Sequence, residues 1–323
     1  MRRALMALTL LAGVAAAGLH AQQAMKVDPA LPGYQKVSGI SGSLNSVGSD
    51  TMNNLMTLWA ETFRRNYPNV KVQVEGKGSS TAPAALIAGT AQFGPMSRSM
   101  RATEIDQFES KYGYKPTQLR TSYDALAVYV HKDNPIKQLT LAQVEAIFAK
   151  SRRRGYKENV TKWGQLGLTG EWADKPISLY GRNSASGTYG FFKEVALKNS
   201  DYKDTVKEQP GSASVVQGVT EDRYGIGYSG LGYKTSGVRL VPLGETEQGP
   251  FSDGNYEDVK SGKYPLARFL YLYINKAPGK PVDPLVGEFV KLIFSKEGQE
   301  VVVKDGYDPL SAQQAKQELA KLQ

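Results

Sequence analysis

The sequence predicts an α/β protein built from two lobes. Its 323 residues are more than one hydrophobic core usually serves. Apolar stretches with the period of strands and of helices alternate along the chain. Each predicted strand leads into a short loop of small polar residues, and such loops bind ligands in open α/β sheets. We therefore expect a ligand site where several of these loops meet.

Residues 1–21 have the pattern of a secretory signal peptide. Arg2 and Arg3 precede an apolar stretch over residues 4–17, and Ala21 is the small residue expected at the cleavage point. The apolar stretch is too short to span a membrane comfortably. The chain contains no cysteine, which excludes disulfides and thiolate catalysis. These features predict a soluble periplasmic or secreted protein.

The mature chain is basic. The formal net charge of +9 falls to +7 on removal of residues 1–21, because they contain two arginines and no carboxylate. Such a balance favours small anions as ligands and would also suit a membrane surface. Nucleic acid is not expected as a partner, since the basic residues are scattered and form no stripe.

The first part of the mature chain alternates between helix and strand. Leu55, Leu58, Trp59 and Phe63 recur on one face of a helix that follows Thr51. Further along, we predict a half-buried strand at 69–75, a helix from Pro83 to Gly89, a short strand at 92–94 and a helix at 103–110.

The second part continues the alternation. Thr140 and Gln143 form a capping-box pattern that starts a helix. The pattern Gly-x-Gly-x-x-Gly at 225–230 indicates a glycine-rich strand, because no helix obviously follows it. The remaining predictions are a strand at 122–131 carrying Asp124, a strand at 177–180, a strand at 269–274, a helix after Asp283 and a polar C-terminal helix.

The loop Gly181–Thr188 reads Gly-Arg-Asn-Ser-Ala-Ser-Gly-Thr and joins a strand to a helix. The unpaired N–H groups and the positive dipole end of a helix start favour a bound anion. Arg182 adds a planar fork of donors suited to a tetrahedral oxyanion. A plain strand-to-helix turn with Ser186 or Thr188 as N-cap is the alternative.

Other predicted strands end in loops that carry hydroxyl groups. The first loop carries the hydroxyl groups of Ser49 and Thr51, the second that of Ser79, and the third that of Ser97. Each hydroxyl alone is explained by helix capping. Together with Arg182 in one crevice, they would hold an anion by hydrogen bonds.

Catalytic motifs are missing from the sequence. The two histidines are His20, in the expected signal peptide, and His131. With no cysteine either, transition-metal sites and Ser–His triads are improbable. No phosphate-binding loop of the nucleotide-hydrolase type is present. We expect no enzymatic activity, no cofactor and no metal.

Four stretches occur in an order that resembles a known family. They are Val47-Gly-Ser-Asp-Thr-Met52, Gly78-Ser-Ser-Thr-Ala-Pro83, Tyr123-Asp-Ala-Leu-Ala-Val-Tyr-Val-His-Lys-Asp-Asn-Pro135 and Gly181-Arg-Asn-Ser-Ala-Ser-Gly-Thr188. They are similar to those of the periplasmic phosphate-binding proteins of bacterial ABC phosphate importers. The resemblance spans nearly the whole mature chain, and Arg-x-x-x-Ser-Gly-Thr is its most specific part.

The resemblance implies a type II periplasmic-binding-protein fold, in which two α/β lobes close on one phosphate about a hinge. It places lobe I at 26–121 plus 268–323 and lobe II at 122–267, with crossings near Ser122 and Arg268. It also implies a monomer that delivers phosphate to a membrane permease.

Residue by residue, the family motifs imply a phosphate site. Arg182, Ser186, Gly187 and Thr188 match the phosphate loop of the second lobe. The first lobe contributes Asp50 and Thr51 in the first loop, beside Ser49, then Ser79, and Ser97 in the third loop.

One position departs from the family pattern. A well-known branch has an aspartate after the third-loop serine, which accepts the proton of hydrogen phosphate and rejects sulfate, whereas this chain has Arg98. Another carboxylate must then accept the proton, and the candidates are Asp124, slightly favoured, and Asp50. The alternatives are that Asp50 caps its helix and that Asp124 pairs with Arg98. Arg98 itself is a candidate ligand contact.

Three other functions remain open from the sequence. The same fold would suit another oxyanion, such as sulfate or molybdate. A secreted phosphohydrolase and a surface adhesion protein are the alternatives of a different class.

Overall fold

The computed structural model describes residues 26–323, so the expected signal peptide lies outside the described residues. The strands are β1 Gly42–Val47, β2 Val70–Glu75, β3 Gly94–Met96, β4 Thr117–His131, β5 Leu139–Thr140, β6 Ser178–Arg182, β7 Val206–Gln209, β8 Gly225–Gly230, β9 Val238–Leu240, β10 Leu243–Gly244 and β11 Ala267–Ile274. The helices are α1 Asn53–Asn66, α2 Thr81–Ala88, α3 Ala102–Tyr112, α4 Leu141–Phe148, α5 Gly187–Val195, α6 Ser212–Glu221, α7 Tyr256–Lys260, α8 Pro284–Ile293, α9 Lys296–Lys304 and α10 Ala312–Ala320. Among these residues, no helix has the length and apolar character needed to cross a membrane.

A mixed sheet with the order β3-β11-β4-β8-β6-β7 is the centre of the fold, and β9 also pairs with β4. The long strand β4 changes partner along its length. Up to Ala125 it pairs with β11, and from Leu126 it pairs with β8, both antiparallel. Strand β4 therefore connects the two halves of the sheet. On its β11 side, Asp124 lies directly opposite Arg268.

The apolar residues that recur along the helices form the hydrophobic cores. Helix α1 buries Leu55, Trp59 and Phe63 as predicted, while Leu58 is only half buried and Met56 takes its place in the core. The indole of Trp59 donates to the carbonyl of Gly298 at 2.8 Å, which fixes α1 against α9. In the other half of the sheet, the rings of Phe192 and Tyr228 stack with their centroids 3.9 Å apart, beneath α5.

Several helix starts agree with their sequence signals. Thr140 and Gln143 form the predicted capping box of α4, and Asp283 caps α8 by accepting from Val286 N at 3.1 Å. The glycine-rich stretch 225–230 is strand β8, as predicted. Strand β4 begins at Thr117, earlier than predicted, and β3 lies two residues later than the predicted 92–94.

Candidate functional site

The predicted site residues converge where loops from the separate two-stranded sheet of β1 and β2 meet loops from the central sheet. The loops that follow β1, β2 and β3 face the loop between β6 and α5, and a backbone bond joins them: Ser80 N–H donates to Ala185 O at 3.1 Å. The strands β4 and β11 pass beside this meeting point and supply Asp124 and Arg268. The side chains of Ser49, Thr51, Ser79, Ser97, Asp124, Arg182, Ser186 and Thr188 are buried.

The start of α5 is packed against the opposing loops. Thr188 Oγ1 lies 3.0 Å from Thr51 Oγ1. A Cβ added to Gly187 would lie 2.3 Å from Ser79 Oγ and 2.5 Å from Ser97 Oγ. Those distances are far below van der Waals contact, so only glycine permits this approach. The contact brings the helix N–H groups to the hydroxyls of the facing loops.

Helix capping explains one of the hydroxyls, but not the others. Ser186 Oγ caps α5 by accepting from Thr188 N at 3.1 Å and Tyr189 N at 3.3 Å. Helix α1 begins after Met52 without a side-chain cap, so the alternative that Asp50 caps it is wrong. Helix α2 also has no side-chain cap. The hydroxyl of Ser79 instead accepts from Ser97 N at 3.0 Å.

Arg182, which is buried, and Asp50, which is partly exposed, form an ion pair between β6 and the loop after β1. The guanidinium Nη2 of Arg182 lies 3.3 Å from Asp50 Oδ2, and Nη1 donates to Ser212 Oγ at 2.7 Å. Asp50 Oδ2 also accepts from Ser212 N at 2.9 Å, at the start of α6. Burial lowers the pKa of Arg182 while Asp50 opposes this, and an arginine stays cationic at neutral pH. Its buried Nε has no hydrogen-bond partner among the described residues.

Asp124 and Arg268 form the second ion pair, and both of these side chains are buried. The Nε of Arg268 donates to Asp124 Oδ2 at 2.8 Å, and its Nη2 lies 2.7 Å from the same oxygen. The same guanidinium donates to Ser97 O at 2.9 Å and to Thr188 Oγ1 at 3.1 Å. Burial raises the pKa of Asp124, although Arg268 acts in the opposite direction. Asp124 Oδ1 is buried and has no donor within residues 26–323.

The alternative that Asp124 pairs with Arg98 is wrong. Arg98 makes two 2.7 Å bonds to the carboxylate of Glu104, six residues along the chain. The partner of Asp124 is Arg268, which the sequence analysis noted only as a lobe crossing. Its signal was present, since Arg268 is a single cation in an otherwise apolar strand opposite the single carboxylate of β4.

The tyrosines that support the first loop were also missed. The hydroxyl of Tyr307 donates to Thr51 O at 2.7 Å, and that of Tyr233 donates to the same oxygen at 3.2 Å. These two residues lie 182 and 256 positions from Thr51 in the sequence, so no local pattern marks them. They hold the backbone of the first loop in place.

The site combines many donors with one free acceptor. Hydroxyls, helix N–H groups and two buried guanidiniums supply hydrogen-bond donors and positive charge. Asp124 Oδ1 is an acceptor with no donor of its own. This set suits a tetrahedral oxyanion that carries a proton. Within the described part of the chain, no group of three or more His, Cys, Asp or Glu side chains could hold a metal ion.

Comparison with known proteins gives consistent results. Residues 35–297 match the model of the PBP superfamily domain. The phosphate-binding protein PstS of Pseudomonas aeruginosa is 57% identical over 323 residues, covering 100% of this chain and 99% of that protein. The protein SphX of Synechococcus elongatus is 26% identical over 281 residues, covering 86% and 80%. A solved structure of a putative phosphate ABC transporter substrate-binding protein from Clostridium perfringens, with bound phosphate, has a TM-score of 0.68 at 25% identity, covering 84% of this chain and 100% of that one.

Proposed function

The chain belongs to the PBP superfamily, in the family of phosphate-binding proteins PstS, and on that premise we propose that it binds one inorganic phosphate between two lobes for an ABC importer. The predicted family and the predicted type II fold are confirmed. The proposed lobes are residues 26–121 plus 268–323 and residues 122–267. The change of partner along β4 supports a crossing close to Asp124.

The observation that carries the proposal is the pairing of buried donors with one unsatisfied acceptor. Phosphate at neutral pH is a doubly or singly charged oxyanion that still carries a proton. Its oxygens therefore need hydrogen-bond donors, and its proton needs an acceptor. The donors we assign are Thr51, Ser79, Ser97, Thr188, Arg182 and the backbone N–H groups at Gly187, with Ser49, Asp50 and Ser186 shaping the loops that hold them. Buried donors exclude water and act in a low dielectric, where charge-assisted bonds are strong.

We assign the proton acceptor to Asp124. In each carboxylate Oδ2 is paired, but the side chain of Asp50 is 26% exposed, so water can reach it, whereas Asp124 Oδ1 is buried without a donor among the described residues. A fully ionised sulfate would place an oxygen against Asp124 Oδ1 with no proton between them. That contact is repulsive and leaves a buried acceptor unpaired, which gives the site its selectivity for hydrogen phosphate.

Arg98 is not assigned to this site. Its two Nη groups bind Glu104, and it therefore does not replace the aspartate found in the other branch of the family. We assign the aspartate's role to Asp124 on β4, which β11 separates from β3 in the sheet.

Transport follows from closure of the lobes. Contacts such as Thr51–Thr188 and Ser80–Ala185 join residues from opposite lobes, so they form only when the cleft closes. The rims of the two lobes would then present one surface to the membrane permease. We propose that the protein acts as a monomer, without catalysis, in the periplasm, where the signal peptide expected at residues 1–21 directs it.

Calorimetry tests this function. Residues 22–323, stripped of phosphate, are titrated with phosphate and separately with sulfate. We expect one phosphate per chain and no heat from sulfate. The variant Arg182→Met should lose phosphate binding, whereas Arg223→Met, which removes an exposed arginine from its pair with Glu171, should not. Binding of neither anion by the wild type would overturn the proposal, and equal binding of both would overturn the role of Asp124.

A further inference from the structure

We propose that Tyr233 is a positioning residue that holds the cleft closed and so sets how long phosphate stays bound. This inference rests on the proposed function, because it needs two lobes that close on phosphate and part again. Tyr233 ends the short turn Leu231–Tyr233, which follows β8 in proposed lobe II. The turn meets proposed lobe I at two points, and none of its residues is assigned to phosphate above.

The first point is the backbone of the loop after β1. The hydroxyl of Tyr233 donates to Thr51 O at 3.2 Å and lies 3.5 Å from Asp50 O. The side chain of Thr51 faces α5, with its Oγ1 3.0 Å from Thr188 Oγ1. Proposed lobe II therefore contacts Thr51 twice, once at the side chain and once at the backbone. Removing the backbone contact leaves the hydroxyl of Thr51 in the site.

The second point is a close approach of two glycines. A Cβ added to Gly232 would lie 3.1 Å from Asp305 O, and one added to Gly306 would lie 3.2 Å from Gly232 Cα. Both distances are shorter than ordinary van der Waals contact, so the two backbones touch because neither residue has a side chain. Gly306 has a φ of +83°, which favours glycine whatever surrounds it, whereas Gly232 is not in that region. A methyl at Gly232 would therefore act through this contact.

Each side of the contact is fixed to its own lobe. The buried hydroxyl of Tyr129, on β4, donates to Gly230 O and to Leu231 O, both at 3.0 Å, which ties the turn to the sheet. On the opposite side, Gly306 N donates to Val303 O at 3.0 Å, at the end of α9. The two surfaces therefore move with their lobes, and they meet or part as the lobes do.

The contact acts on the closed form alone. Release of phosphate requires the lobes to part, so the hydrogen bond of Tyr233 and the packing of Gly232 must be broken before the anion leaves. Phosphate enters before these contacts form. We therefore expect them to slow release, with little effect on the rate of binding or on the choice between phosphate and sulfate.

A chase experiment tests the proposal. Residues 22–323 are loaded with radiolabelled phosphate, and loss of label is followed after addition of excess unlabelled phosphate. Tyr233→Phe should release phosphate about two- to tenfold faster, the effect of losing one neutral hydrogen bond. Thr51 O keeps the bond from Tyr307 in this variant, so the acceptor is not left unpaired. Gly232→Ala should also release faster, because its methyl would lie 3.1 Å from Asp305 O in the closed form.

Two further readouts separate this role from a purely structural one. In Tyr233→Phe and in Gly232→Ala, the Tm of the phosphate-free protein should equal that of the wild type, because the contact is absent when the lobes are apart. The ratio of phosphate to sulfate affinity should also be unchanged. A lower Tm without phosphate, together with a wild-type release rate, would overturn the proposal and make Tyr233 a structural residue.

Tyr112→Phe is the matched control. It removes a tyrosine hydroxyl that donates to Leu86 O at 3.2 Å and to Ile87 O at 3.1 Å, between α3 and α2 within proposed lobe I. Its release rate should equal that of the wild type. Release as fast in Tyr112→Phe as in Tyr233→Phe would overturn the proposal, as would wild-type release in both variants of the turn. Wild-type protein that retains no label would instead overturn the proposed function, and the role of Tyr233 with it.

Discussion

Replacing Asp124 by asparagine exchanges the proposed proton acceptor for a donor at nearly constant volume. The amide oxygen can take the place of Oδ2, where it still accepts from Arg268. The amide nitrogen then occupies the place of Oδ1, which has no donor in the native protein. The substitution therefore changes the hydrogen-bonding character of one atom while the surrounding contacts are kept.

The size of the effect follows from the bond that is lost. A hydrogen bond to a charged group contributes about 1.5–3 kcal/mol. With about 1.4 kcal/mol for each factor of ten, phosphate affinity should fall by roughly 10- to 100-fold. Sulfate should gain, because its oxygens accept from the new amide and no longer face a carboxylate. We expect the preference for phosphate over sulfate to narrow by at least about tenfold.

Calorimetric titration of Asp124→Asn with each anion measures this ratio, and thermal unfolding shows whether the variant is folded. Asp50→Asn is the matched control, since it makes the same chemical change in a carboxylate that is paired and partly exposed to solvent. It should alter affinity without opening the site to sulfate. If Asp50→Asn admits sulfate while Asp124→Asn keeps the native ratio, Asp50 is the acceptor and our assignment is wrong.

Two further predictions concern closure and pH. Gly187→Ala should weaken phosphate binding at least tenfold, because its methyl would lie 2.3 Å from Ser79 Oγ when the loops meet. The Tm should change little, since the clash is absent while the loops are apart. Unchanged affinity would show that phosphate binding does not require Gly187 to lie this close to Ser79. Burial, with a contribution from Asp124, raises the pKa of Asp308 from 3.8 to about 7. The folded protein therefore holds this proton more tightly than the unfolded chain does. The contribution of Asp308 to stability is full below pH 3.8 and is lost as the pH rises through about 7. Asp308→Asn should therefore be more stable than the wild type at pH 8, by on the order of 1–4 kcal/mol, and similar to it at pH 4 in denaturant unfolding; a difference that does not change with pH would contradict this.

Elements with their own periodicity or caps could be predicted from the sequence. Helix α1 has an apolar face of its own, and α8 begins at an Asp–Pro pair that caps it in the structure. These signals are local, so they persist whatever the rest of the chain does. Helix α9 was missed because residues 295–300 are polar or glycine, and the buried valines Val301 and Val302 come only in its second half. Strands of two or three residues, such as β10, form only because a partner strand lies beside them.

The hydroxyl groups of the candidate site and Arg182 could be predicted from the sequence, because they lie in short motifs. The partners of those residues could not, since they come from distant parts of the chain. Arg268 is 144 positions from Asp124, and Tyr307 is 256 positions from Thr51. For Arg98 the true partner was close in sequence, at Glu104, but charge alone does not tell one carboxylate from another. Pairing of charges is a property of the tertiary fold.

The two ion pairs differ in what closure does to them. Asp50 and Arg182 come from opposite proposed lobes, as do Thr51 and Thr188, so these contacts are made when the cleft closes. Asp124 and Arg268 lie opposite each other on β4 and β11, which are the proposed crossing strands, so we expect their pairing not to need closure. We infer that the acceptor is in place before the donors assemble around the anion. Sulfate would therefore be rejected by the preformed acceptor at the hinge, and the energy of closure would be gained only with an anion that brings its own proton.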